Sequence, residues 1–138
     1  MRKIKFRIWD VRSKQFYPDG FSVAMDGTEW YDDSQFSHSL TNGDWLIMQF
    51  TGLTDKNGVE IYEGDIVQNI VTRKEFKHEG TVSGKMGYVE VSYCSQSVVT
   101  YDTHWAQFNI TAPTVHERGA LTVIGNIHST PELLTPKQ

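Results

Sequence analysis

A chain of 138 residues with 38% hydrophobic and 22% charged side chains has the length and composition of one packed domain, which excludes a disordered or low-complexity chain. A lone cysteine, Cys94, excludes an internal disulfide framework, and no run nears the roughly 20 apolar residues of a membrane span, so a cytoplasmic protein without membrane attachment is expected. The formal charge of −4 is unevenly spread: residues 1–14 set six basic groups against Asp10, residues 15–65 set ten acids against Lys56, and residues 66–138 carry six of each sign. Such segregation points to a partner of opposite charge or to two parts of one fold that attract each other.

The chain opens on a strict alternation. Ile4, Phe6 and Ile8 fall on one side and Lys3, Lys5, Arg7 and Trp9 on the other, which predicts a half-buried strand with a basic, aromatic outer face. Turn chemistry at 17–20 leads to a second strand over 21–25, closed by Asp26-Gly27. Residues 32–44 are polar, with little to bury, and read as a mobile surface loop.

Short apolar runs at 45–50 and 59–62 predict two further strands, separated by Asn57-Gly58, a pair suited to the positive φ angles of a type I′ turn. Strands are also expected at 66–72, 88–93, 98–101 and 121–124, where β-branched and aromatic residues concentrate. The stretch 104–116 fits a short helix as well as a loop. At 129–134 a hydroxyl residue, Pro131 and Glu132 predict one helical turn. Many short strands with turns between them indicate a mainly β protein: a small SH3-like barrel or a β-sandwich with extra hairpins and a short C-terminal helical turn.

Three blocks of sequence carry a family resemblance: Met1 to Asp10, Met48 to Val67, and Val123 to His128 continuing through Pro131 to Leu134. Their content and order resemble the YopX-like proteins of phages and prophages, and they span nearly the whole chain, so 1–138 is expected to form a single YopX-like domain. The resemblance implies a phage or prophage origin and a site in the cytoplasm of the host bacterial cell. It brings no assigned activity.

No residue pattern replaces that missing activity. The five histidines, at 38, 78, 104, 116 and 128, lie too far apart in sequence to form a local metal-ligand pair, and no cofactor motif is present. Asp55, Asn57, Gly58 and Glu60 miss the spacing of a calcium loop, and 80–87 lacks the order of a phosphate-binding loop despite Lys85. Asp32-Asp33 and Glu63 with Asp65 are close acid pairs in turns, and Cys94, Asp102 and His104 sit in no recognisable nucleophile context.

Three functions remain. The first is a non-enzymatic accessory protein acting through protein contacts or self-association. The second is a nucleic-acid-binding barrel using the face of Lys3, Lys5, Arg7 and Trp9, a combination of cations with a stacking surface. Three cations neutralise few phosphates, however, and acidic groups elsewhere compete for them. The third is a hydrolase or metalloenzyme built from distant His, Asp and Cys side chains.

Overall fold

The computed structural model describes residues 3–78, 86–110 and 121–135. The sequence features at Arg2, 80–85 and His116 lie outside the described residues.

The chain is mainly β, with curled sheets forming a half-barrel. One sheet has the order β2 (Gln15–Phe16), β1 (Phe6–Asp10), β6 (Trp45–Thr54), β7 (Glu60–Tyr62). Another has the order β12 (Leu121–Asn126), β8 (Asp65–His78), β9 (Met86–Val98). A small sheet joins β3 (Ser22–Val23), β4 (Glu29–Tyr31) and β5 (Ser37–Ser39), and β10 (Thr100–Asp102) pairs with β11 (Gln107–Asn109). The predicted C-terminal helical turn is the 3₁₀ turn Pro131–Leu134.

Ile61, Val67, Val99 and Leu121 form an apolar core, with Phe108, Ile110 and Val123 packed against it. The short connection from β7 to β8 places Ile61 and Val67 together. Gly64 adopts φ +80° there, and its N–H donates to the Val99 carbonyl at 2.8 Å. A glycine suits this backbone because an L side chain is strained in the left-handed region.

Several expectations change. Asn57-Gly58 does not form a type I′ turn: only Gly58 has positive φ, its N–H donates to the Asp55 carbonyl, and the Asp55 N–H donates to the Val59 carbonyl. That is a type I turn followed by a left-handed bulge residue, a three-residue hairpin solution. It is selected by the Asp55 carboxylate, which accepts from the N–H groups of Asn57, Val59 and Val123 at 2.8, 2.9 and 3.0 Å.

Nor is the polar stretch 32–44 only a loop, since it contains β5. Asp32 accepts from the N–H groups of Ser34 and Phe36 and meets His38 Nε2 at 2.9 Å. The His38 ring then stacks on the fully buried Trp30 at 4.4 Å, and Tyr17 and Trp45 close around the same indole at 4.6 and 4.9 Å. In 104–110 there is no helix: Gln107–Asn109 is a strand, and Asp102 caps the preceding turn by accepting from the N–H groups of His104 and Trp105.

Two predictions follow from this packing. A Cβ on Gly125 would fall 2.0 Å from Thr130 Oγ1 and 2.6 Å from Leu133 Cδ1, so Gly125→Ala must displace the C-terminal turn. Urea denaturation should register a loss of about 1–3 kcal/mol.

The second concerns acid. Burial pushes the Asp55 carboxyl up, but its three N–H donors outweigh that effect and hold it below the usual value; the Lys5 ammonium does the same for Glu60. Folded values below the unfolded ones, near 4, give stability that is complete above about pH 5 and is lost as the pH falls through the folded values. Urea midpoints should be level near neutrality and decline in acid, and Asp55→Asn should flatten the decline.

Candidate functional site

The basic N-terminal strand is the first surface to build, because β1 places Arg7 and Trp9, with Lys5 just before it, where the two larger sheets approach. Lys5 pairs with Glu60 on β7, Arg7 with Asp65 at the start of β8, and Arg12 with Asp44. Each of these cations from the basic segment thus meets an acid of the segment 15–65. Lys3 is exposed.

The Arg7 contact is the most enclosed. Its Nη2 donates to Asp65 Oδ1 at 2.6 Å, and Asp65 is only 1% exposed. Asn126 Nδ2 donates to the same oxygen at 3.2 Å, and the Tyr62 N–H donates to the other at 2.8 Å. The guanidinium lies between the rings of Phe16 and Tyr62, 4.4 and 4.5 Å from their centroids.

Trp9 does not join an outer face. It is 5% exposed, packed edge-on to Phe16 and stacked with His128 at 6.0 Å. Burial, with the Arg7 charge adding to it, pushes the His128 imidazole below its ordinary value, which keeps it neutral at pH 7. Strict alternation fails to forecast this because both sides of β1 are covered, one by the core and the other by Phe16 and His128.

Of the other candidate groups, Asp102 is tied down in a similar way, whereas Cys94 is exposed. Asp102 Oδ1 holds two backbone N–H groups and Oδ2 accepts from Asn109, while Cys94 lies on β9 opposite Ile70. Among the described residues, no three His, Cys, Asp or Glu side chains gather as metal ligands. A polar cleft of about 390 Å³ beside His38 and Trp45 is lined by Asp10 and Asp44. Those carboxylates are held by Ser13 and by the Arg12 side chain, respectively.

A surface that sequence reading did not single out is the β8–β9 ribbon. The two strands pair without a register break from Ile66 opposite Val98 to His78 opposite Met86. β12 supports β8 only as far as Asn69, so beyond that point the ribbon is two-stranded among the described residues. Alternate residues face opposite sides of a strand, yet large apolar groups are exposed on both: Ile70, Phe76 at 54% and Tyr88 at 74% on one, Val89 and Tyr93 on the other. Phe76 and Tyr88 meet edge-to-face across the strands, and the Tyr93 hydroxyl donates to Glu75. The available signal was the high β-branched and aromatic content of 88–93, which marks a strand without revealing which side is covered.

Asp65→Asn should cost about 3 kcal/mol in equilibrium unfolding, since it strands the Arg7 charge. Arg7→Met combined with Asp65→Asn should cost less than the sum of the two single changes, a coupling that a double-mutant cycle reads directly.

No helix among the described residues is long and apolar enough to cross a membrane. The YopX protein family model matches residues 5–135. The crystal structure of protein EF1440 from Enterococcus faecalis is similar with a TM-score of 0.56 at 24% identity, covering 98% of this chain and 100% of that one, a likeness that bears on the fold alone. Protein yopX from Bacillus subtilis is similar with a TM-score of 0.45 at 19% identity, with 100% of both chains covered. No curated protein matches the chain. Arg7, Asp65 and Asn126, which come from the three sequence blocks, meet at one buried contact, and with the family match over nearly the full length the chain belongs to the YopX family.

Proposed function

We propose that this chain is a phage or prophage accessory protein that works in the host cytoplasm as one non-enzymatic domain, acting through protein contacts made by the β8–β9 ribbon. The observation that carries this reading is the ribbon itself. A two-stranded hairpin in water is marginal by itself, and this one holds Phe76 and Tyr88 exposed together on one face. Contiguous exposed apolar area of this kind marks interaction sites.

The pairing of Lys5 with Glu60 and Arg7 with Asp65, together with the burial of Trp9, weighs for protein contacts over the nucleic-acid alternative. Cations already bound to carboxylates release fewer counterions on meeting phosphate.

Affinity capture from host lysate with the wild-type chain and with Phe76→Ser/Tyr88→Ser, alongside light scattering across ionic strength, tests the reading. The expected result is a specific partner or a self-assembled species that the double variant loses. A strict monomer that captures nothing specific would overturn it. Fluorescence anisotropy with single- and double-stranded oligonucleotides at low salt should show no binding that Lys3→Ala or Lys5→Ala removes; a loss on either change would restore the nucleic-acid reading.

A further inference from the structure

The outer edge of β9 carries few of the devices that keep sheet edges apart. From Met86 to Val98 it has no proline, no lysine and no bulge, and its one charged residue is Glu90. Edge strands ordinarily carry such guards because a free row of N–H and C=O groups recruits another strand. β8 differs: Arg73, Lys74 and Glu75 lie along its own unsupported stretch. Among the described residues β9 pairs with β8 alone.

We infer that β9 pairs antiparallel with β9 of a second copy of this chain, about a two-fold axis through Val91, joining two ribbons into one four-stranded sheet. This rests on the ribbon reading above and names its partner. A two-fold axis perpendicular to the sheet keeps each residue on its own face, so only registers that pair residues of the same parity are allowed.

Side-chain chemistry selects among those registers. With Val91 on the axis, Val89 faces Tyr93 of the second copy, Val91 faces Val91, and Tyr93 faces Val89, giving an unbroken stripe of β-branched and aromatic pairs. On the other face Glu90 lies opposite Ser92, and Tyr88 opposite Cys94. Shifting the axis to Glu90 sets two carboxylates against each other, and shifting it to Ser92 or Tyr93 sets Val89 against a serine. Only the Val91 register avoids a like-charge pair while matching apolar with apolar along the whole stripe.

The test uses the full chain. Light scattering should give twice the 15.8 kDa chain mass for the wild type. Val91→Lys and Val91→Glu should each be monomeric, because each sets like charges face to face, and an equimolar mixture of the two should recover the dimer mass. That recovery could not come from misfolded variants. In a Cys94→Ser background, Val91→Cys should cross-link on mild oxidation, since directly opposed strand residues fall within disulfide reach, whereas Val89→Cys should not. Wild-type Cys94, facing Tyr88, should also remain uncross-linked.

A dimer that Val91→Lys leaves intact would overturn the pairing, as would a cross-link through Val89→Cys or Cys94 in place of Val91→Cys. A wild-type monomer would overturn it too. If that monomer still captured another protein through Phe76 and Tyr88, the broader ribbon reading would stand; if it captured none, both would fall.

Discussion

The arrangement of this protein depends on one buried ion pair, Arg7 with Asp65. Asp65 is almost fully enclosed, and an uncompensated carboxylate there would cost several kcal/mol. Satisfying it draws in two distant pieces of chain, the Arg7 side chain of β1 and the Asn126 amide ending β12, and the nearby Tyr62 N–H ending β7. These contacts tie the β1-containing sheet to the β8-containing sheet. Gly64 completes the joint, since an added Cβ would lie 3.3 Å from Asn126 Nδ2 and the φ of +80° already disfavours any side chain. The pair links strands of different sheets; a well-packed apolar replacement could equal it in energy.

The same joint explains the segregation of charge along the chain. The basic segment forms a strand whose acidic counterparts sit on its neighbours, so a lopsided sequence becomes a set of short-range pairs in space. The exposed member, Arg12 with Asp44, contributes little energy, because solvent screens such pairs. Lys5 with Glu60 and Arg7 with Asp65 are more enclosed and orient β1 against β7 and β8. The consequence for function is direct: two of the three cations that resemble a polyanion-binding face, Lys5 and Arg7, have intramolecular partners.

Surface apolar groups are distributed the opposite way. The small sheet β3–β4–β5 is closed by Trp30 with Tyr17, His38 and Trp45, which hides much of the aromatic content of the N-terminal half. The β8–β9 ribbon leaves its aromatics outside, beyond the last residue of β12 that supports it. Two strands cannot cover both of their own faces, so exposure follows from topology.

Local order was legible in the residues themselves. The mainly β character, strands β1, β6, β7 and β12, the β8–β9 region and the Pro131 turn follow from short-range periodicity and propensity, and the three blocks carry the family. Sequence could not show that Trp9 is buried, that Asp32 and His38 draw a polar stretch into a strand on Trp30, or that Asp55 sets a type I turn where Asn57-Gly58 suggests type I′. Each of these depends on a partner outside the local window, such as His128 for Trp9 or Val123 for Asp55. Alternation along a strand states that two faces exist; only the packed chain decides which of them is covered. For β1 both are, and for the far part of β8 and β9 neither is covered by another strand among the described residues.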